Sequence, residues 1–132
     1  MKIKNLKKLK VENNGLEHVS DSLCLLTELD WLCLSKNKIA KLPRRIGDLQ
    51  ELTYLDLDKT DLVELPESIG KLNRLEHLNL FSCELKSLPK DFGNLIHLTK
   101  LDLRNNNLTY LPESLGRLQN LIMLDLGNNE LE

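Results

Sequence analysis

Aromatic residues are scarce in this chain of 132 residues, which has one tryptophan, two tyrosines and two phenylalanines. No apolar run approaches the roughly 18 to 20 residues that a membrane-spanning helix needs. The three cysteines are odd in number and not clustered, which argues against a disulfide framework and favours a reducing compartment. The basic start of the chain lacks the apolar stretch of a secretory signal. We therefore expect a cytoplasmic protein.

Neither sign of charge dominates the composition. Eighteen basic and 20 acidic residues give a formal net charge of −2, and the isoelectric point is near 5.9. A chain that binds nucleic acid or an anionic membrane through general electrostatics normally carries a basic excess. We expect neither kind of partner.

Leucine is abundant, with 34 copies, and it recurs with a fixed period. All four prolines and four of the six glycines keep a step of 23 residues: Pro43, Pro66, Pro89, Pro112, Gly47, Gly70, Gly93 and Gly116. Leucine triplets spaced L-x-x-L-x-L begin at residues 29, 52, 75, 98 and 121, and a weaker copy begins at residue 6. The pattern predicts one domain over residues 1–132, built from six repeats of which the last is incomplete.

Each repeat reads L-x-x-L-x-L-x-x-N-x-L-x-x-L-P-x-x-I-G-x-L-x-x. The alternating L-x-L predicts a half-buried strand. A short amide at the asparagine position can bond the backbone of a turn and hold neighbouring turns in register; this position holds Asn14, Asn37, Thr60, Cys83, Asn106 and Asn129. The segment after the proline predicts a helical or 3₁₀ turn, where the glycine either relieves crowding or supplies a special dihedral.

This pattern resembles the leucine-rich repeat family, in the 23-residue subclass found in bacterial, plant intracellular and Ras-pathway scaffold proteins, and the resemblance covers residues 6–132. It implies an α/β fold: a right-handed solenoid with a curved parallel β-sheet on the concave face and short helical or 3₁₀ turns on the convex face. Because one repeat cannot bury its own leucines, stacked repeats share a core. In the repeat that begins at residue 52, we assign the following residues to this core: Leu52, Leu55, Leu57, Leu62, Leu65, Ile69 and Leu72. Phe92 takes the isoleucine position in a later repeat.

Some strand positions are predicted to point away from this core. Counted from the first leucine of a repeat, they are +1, +2, +4, +6 and +7, and equivalent positions form rows because adjacent strands lie about 4.8 Å apart. Exposed tryptophan and tyrosine often anchor interfaces, although neighbouring strand side chains can also simply cover one another. The +2 row holds Lys8, Trp31, Tyr54, His77, Lys100 and Met123, and Phe81 projects from the same face.

The remaining side chains of this face give no support for catalysis. Asp102 and Asp125, adjacent in the +4 row, would be compatible with glycosidase chemistry, but Lys100 and Arg104 flank Asp102 and favour a solvated, ionised cluster. Cys33 and His77 lie two strands apart, about 10 Å, which is too far for a nucleophile–base pair. The sequence has no C-x-x-C or H-x-x-x-H spacing and no phosphate-binding glycine loop. We therefore predict no catalytic residue, no cofactor and no metal site.

The resulting expectation is a non-enzymatic protein–protein interaction module whose concave face binds a peptide or protein segment. The candidate partner-binding residues are Trp31, Tyr54, His77, Phe81, Lys100, Asp56, Asp58, Asp102 and Arg104. Two alternatives stay open. One is a structural solenoid that forms a homodimer through its open C-terminal end, and the other is the recognition arm of a larger signalling, receptor or effector protein.

Overall fold

The computed structural model of the chain describes residues 3–132, so the first two residues of the predicted domain lie outside the described part. Six short strands pair side by side in chain order to form one sheet. The strands are β1 (Lys8–Lys10), β2 (Trp31–Cys33), β3 (Tyr54–Asp56), β4 (His77–Asn79), β5 (Lys100–Asp102) and β6 (Met123–Asp125). Every neighbouring pair is parallel and in the register of the repeat, as in the pairing of Trp31 with Tyr54 and of Tyr54 with His77. The predicted parallel sheet and solenoid are confirmed.

The connections between the strands contain short 3₁₀ helices: η1 (Asp21–Leu25), η2 (Ile46–Asp48), η3 (Glu67–Lys71), η4 (Phe92–Asn94) and η5 (Glu113–Arg117). Of the two turn types that the sequence left open, residues 3–132 adopt the 3₁₀ form. The proline before η3 and η5 is extended, with φ of −66° and −67° at Pro66 and Pro112. Because proline fixes φ and has no N–H, it separates the preceding turn from the helix that follows.

The core lies between the sheet and the 3₁₀ helices. All seven predicted core residues of the central repeat are buried, and Phe92 is fully buried against the helical layer. The core leucine of the strand is fully buried at Leu55 in β3 but 39% exposed at Leu124 in β6. Each repeat is therefore covered by its neighbours, as the stacking of identical units requires.

Asparagine side chains tie successive turns together. The amide of Asn37 donates to the carbonyls of Val11, Leu34 and Ser35, and its oxygen accepts the N–H groups of Asn14 and Leu16 at 3.0 Å. At the same position in the next repeat, Thr60 forms fewer hydrogen bonds. Its hydroxyl donates to Leu57 O and lies 3.2 Å from the sulfur of Cys83. The predicted role of the asparagine row is confirmed, and Thr60 and Cys83 are its weak members.

The repeating glycines relieve crowding rather than supplying an unusual dihedral. None of the four adopts a positive φ. A Cβ atom on Gly47 would overlap the carbonyl oxygen of Ser68, and one on Gly93 would overlap that of Ser114. Gly116, in the last 3₁₀ helix, would meet nothing within 4 Å. Glycine is therefore needed where the next repeat packs onto a 3₁₀ helix.

Candidate functional site

A row of rings crosses the exposed face of the sheet, which we call the concave face. The rings of Trp31 and Tyr54 stack face to face, with centroids 5.0 Å apart and planes within 5°. The ring of His77 follows on β4, 5.9 Å from that of Tyr54 and tilted by 47°. All three residues are half-buried, and Lys100 and Met123 continue the row as exposed residues. The sequence correctly places these side chains next to one another.

Phe81 and Arg104 form a second contact on this face. The guanidinium carbon of Arg104 lies 4.8 Å from the centre of the Phe81 ring, within cation–π range. The same guanidinium donates to both carboxylate oxygens of Asp102 and lies 3.5 Å from a carboxylate oxygen of Asp125. The cation–π contact could have been inferred from the row order, because positions 81 and 104 are equivalent on adjacent strands.

Arg104 also controls the ionisation of Asp102. Burial alone would raise the pKa of Asp102, but the hydrogen bonds from the side chain and backbone of Arg104 outweigh it and hold that pKa below its usual value. The sequence predicted that Lys100 and Arg104 keep this pair of carboxylates ionised, and Arg104 acts in that direction on Asp102. Lys100, by contrast, forms no ion pair with a carboxylate within residues 3–132. Asp102 is thus held as a carboxylate and not as the neutral acid that donates a proton in glycoside hydrolysis.

Asp56 has a different environment on the neighbouring part of the face. Burial raises the pKa of its carboxyl to about 6, although a hydrogen bond from the Asp58 backbone N–H opposes the change and the Asp58 and Glu12 carboxylates add to it. Burial, together with the charge of Asp56, also raises the pKa of the Tyr54 phenol. Sequence analysis did not predict this perturbed carboxyl, because it depends on how deeply neighbouring strands bury position 56.

The +4 side chains have a structural role that sequence analysis missed. The side-chain oxygens of Asp56, Asn79, Asp102 and Asp125 each accept the N–H two residues ahead, at 3.0 to 3.1 Å. These bonds close the turns after β3, β4, β5 and β6; in the first two of these turns, Lys59 and Ser82 have φ near 55°. Asp56 and Asp102 therefore serve the fold as well as any binding surface. The signal was the run of Asp and Asn at a fixed distance after the strand leucine.

Cysteine and metal chemistry find no support in the described residues. Cys24, Cys33 and Cys83 are free and buried, and burial raises the pKa of the Cys24 and Cys83 thiols. Cys33 lies at an outward position yet is only 3% exposed, with its sulfur 3.2 Å from the Ser35 hydroxyl. Residues 3–132 contain no cluster of His, Cys, Asp and Glu suited to a metal ion. Within the same residues no helix is long and apolar enough to cross a membrane.

Comparison with known families identifies the class of protein. One family model, described as a leucine-rich repeat region, matches residues 2–85, and a second, described as a leucine rich repeat, matches residues 73–131. The chain belongs to the leucine-rich repeat family. This fold is typically one of protein interaction rather than catalysis. A search of curated proteins found no match.

Solved structures share the fold over nearly the whole chain. A leucine-rich repeat protein of Leptospira interrogans is 32% identical, with a TM-score of 0.80, over 97% of this chain and 38% of its own. A chain of the PEPR1–AtPEP1 crystal structure is 34% identical, with a TM-score of 0.89, over 97% of this chain and 19% of its own. An internalin from Listeria monocytogenes, 24% identical with a TM-score of 0.70 over 98% of this chain and 44% of its own, shares the fold. This chain thus spans less than half the length of these relatives.

Proposed function

We propose that this chain is a non-enzymatic protein–protein interaction module whose concave face binds a peptide or protein segment. The observation that carries the proposal is the half-exposed stack of Trp31 on Tyr54. The fold does not need rings at this position, because Lys8, Lys100 and Met123 occupy it on other strands. Rigid aromatic surfaces are the usual anchors of protein interfaces.

The other candidate residues fit an interface of this kind. Phe81 adds a further ring on the same face as the row of Trp31, Tyr54 and His77. The guanidinium of Arg104 lies over this ring. In the proposal the rings supply contact area, while the charges of Lys100, Asp56, Asp58, Asp102 and Arg104 orient the partner. Charged groups around an apolar centre mainly contribute specificity and association rate.

The size of the concave face limits the partner. Six strands span about 24 Å, and the five exposed positions of each strand cover about 17 Å, which gives a flat area on the order of 400 Å². A standard protein interface buries about 800 Å² on each partner. The face therefore suits an extended peptide or a helix lying across the strands. In the PEPR1–AtPEP1 structure a similar chain is paired with a second component, which supports recognition of this type.

A capture experiment tests the proposal. Purified wild-type chain, the variant W31A/Y54A and the control Y110A are immobilised and exposed to the same cell extract, and bound proteins are quantified by mass spectrometry. Tyr110 is 59% exposed and lies outside the strands, so Y110A removes an aromatic residue without changing the concave face. We expect proteins that wild type and Y110A retain and W31A/Y54A loses. Equal capture by all three would contradict binding on the concave face.

Stability measurements keep this result interpretable. Loss of an aromatic pair costs about 0.5 to 1.5 kcal/mol beyond the loss of buried area, and both rings lie outside the leucine core. W31A/Y54A is therefore expected to unfold cooperatively and only slightly below the wild type. A collapse of the fold in this variant would show that the rings serve the structure instead.

Self-association through the C-terminal end is the second candidate function. The observation that favours it is the exposure of Leu124 and Leu131 in the last repeat, where the equivalent leucines of the central repeat are fully buried. Light scattering over a concentration series tests it, with a dimer expected at high concentration and a strict monomer as the contradicting result.

Two further proposals concern the setting of the chain. Because it spans less than half of its structural relatives, we propose that it can serve as the recognition arm of a larger signalling, receptor or effector protein. The three free cysteines fit a reducing compartment, so we propose a cytoplasmic location, which fractionation of cells that express the protein tests. Recovery of the protein outside the cytoplasm would contradict the second proposal.

A further inference from the structure

The charges of the concave face point to the chemistry of the segment that binds there. We propose, on the basis of the proposed function, that this segment carries a lysine or arginine side chain whose stem lies against the rings of Trp31 and Tyr54 and whose charged group meets the carboxylates of Asp56 and Asp58. The occupant is thus an extended peptide segment with a basic residue among apolar ones.

The first argument is charge complementarity. Three acidic groups on this face already have a cation: Glu12 pairs with Lys10 and Lys36 at 3.1 and 3.2 Å, and Arg104 pairs with Asp102 and Asp125. No lysine or arginine of residues 3–132 forms an ion pair with Asp56 or Asp58, nor with Asp30 or Glu76 at the +1 positions. Asp56 and Asp58 differ from the latter two in lying next to each other and to the Tyr54 phenol. They leave two adjacent negative charges beside the stacked rings. A cation supplied by a partner would pair with them as Arg104 pairs with Asp102.

The second argument is that the fold does not require a charge at position 56. Asn79 occupies the equivalent position on β4 and closes the same turn through its amide oxygen. The carboxylate at position 56 is disfavoured in the free protein by its burial, so an amide there would serve the structure at lower cost. Groups held in an unfavourable ionisation environment are over-represented at binding and catalytic sites. A bound cation would remove that unfavourable environment.

The third argument is an arrangement that the chain already contains. Just after β5, the guanidinium of Arg104 lies over the Phe81 ring while its N–H groups donate to Asp102. Around β3 the ring comes from the +2 row instead of the +6 row: the Tyr54 phenol lies close enough to the Asp56 carboxylate for that charge to raise its pKa. No lysine or arginine of residues 3–132 forms an ion pair with this carboxylate. Lysine and arginine pack their apolar stems on aromatic surface while the charge stays at the edge, and cation–π attraction adds to the contact.

Selection from a random peptide library tests the inference. A library of 12-residue peptides displayed on phage is selected against the wild-type chain, the variant D56N/D58N and the control D61N/D91N. Asp61 and Asp91 are exposed and lie outside the strands, so the control removes the same total charge away from the concave face. The amide at position 56 is expected to keep the turn closed, as Asn79 does on β4.

We expect peptides selected on the wild type and on D61N/D91N to share a lysine or arginine next to aromatic or aliphatic residues, and this preference to vanish on D56N/D58N. One selected peptide is then synthesised with its basic residue and with glutamine in its place, and both are titrated against the wild type and D56N/D58N. Because charge-assisted hydrogen bonds are strong, the basic peptide should bind D56N/D58N about 10-fold or more weakly. The glutamine peptide should bind both proteins alike.

Other results would overturn the inference. Peptides that depend on Trp31 and Tyr54 but show no basic preference would contradict it and leave the concave face as the binding surface. If the peptides selected on D56N/D58N still share a lysine or arginine, residues other than Asp56 and Asp58 recognise the positive charge. Selection that W31A/Y54A does not affect would count against both the inference and the proposed function, and a selection without any enriched peptide would overturn the inference alone, since the capture experiment tests the function independently.

Discussion

Asp56 and Asn79 occupy equivalent positions on neighbouring strands, and each closes the same turn. The Asp56 carboxylate accepts the Asp58 N–H at 3.1 Å, and the Asn79 amide oxygen accepts the Phe81 N–H at 3.0 Å. The two side chains differ by a charge that the turn does not use. The Asp56 carboxylate is partly buried, and this burial raises its pKa to about 6.

The first prediction follows from this pKa. The pKa of the Asp56 carboxyl is about 6 in the folded chain and about 3.9 in the unfolded chain. As the pH rises between these values the unfolded chain releases the proton first, so the free energy of unfolding falls. We expect D56N to be more stable than the wild type at pH 7.5, by about 1 to 2 kcal/mol, because solvent around this half-buried carboxyl screens part of the roughly 3 kcal/mol that 1.36 kcal/mol per pKa unit would give. At pH 4 the two proteins should differ much less. Urea denaturation at both pH values makes the comparison, and an equal difference at each pH would contradict it.

The second prediction compares the effect of alanine on stability at Gly93 and Gly116, which occupy the same position in successive repeats. G93A puts a methyl group into the Ser114 backbone of the next repeat, and overpacking of this kind costs about 1 to 3 kcal/mol. G116A meets no atom within 4 Å and should be neutral or stabilising by up to about 1 kcal/mol, because alanine reduces the freedom of the unfolded chain. Denaturant unfolding of both variants gives the two values. Similar losses would show that glycine serves the backbone conformation instead of the packing.

The third prediction concerns the weak members of the asparagine row. T60N should supply the donors and the acceptor that Asn37 and Asn106 use in their turns, and raise stability by about 0.5 to 2 kcal/mol. The reverse change, N106T, removes amide bonds to Leu80 and Arg104 and should lower it. Thermal unfolding of both variants beside the wild type measures the effects. A destabilised T60N would mean that the Thr60–Cys83 contact matters more than the missing amide.

The periodic sequence accounts for most of the fold. The L-x-L alternation determines which strand side chains enter the core, and the 23-residue register aligns Trp31, Tyr54 and His77 because parallel neighbours pair residue for residue. The choice of 3₁₀ turns was left open by the sequence. It depends on how tightly successive repeats pack, and the overlap that a side chain at Gly93 would cause is visible only once two repeats are stacked.

The electrostatics of the concave face were harder to predict. Row order indicates which charges lie next to each other, but it does not show that Arg104 turns toward Asp102 and Phe81, or that Asp56 forms no ion pair within residues 3–132. Ionisation depends on burial by side chains from adjacent strands. The turn-closing bonds of the +4 row are not predicted, because Asp and Asn at these positions fit a free surface position equally well.

The central claim is that a partner binds on the strand side of the solenoid. Its most direct test is to record backbone amide and indole N–H chemical shifts of isotope-labelled wild-type chain while titrating a peptide selected from the random library. We expect the largest shift changes at the single tryptophan, Trp31, and at Tyr54, Asp56 and His77, with η3 and η5 unaffected. Changes concentrated in the 3₁₀ helices, with the Trp31 indole signal unmoved at saturation, would contradict the account.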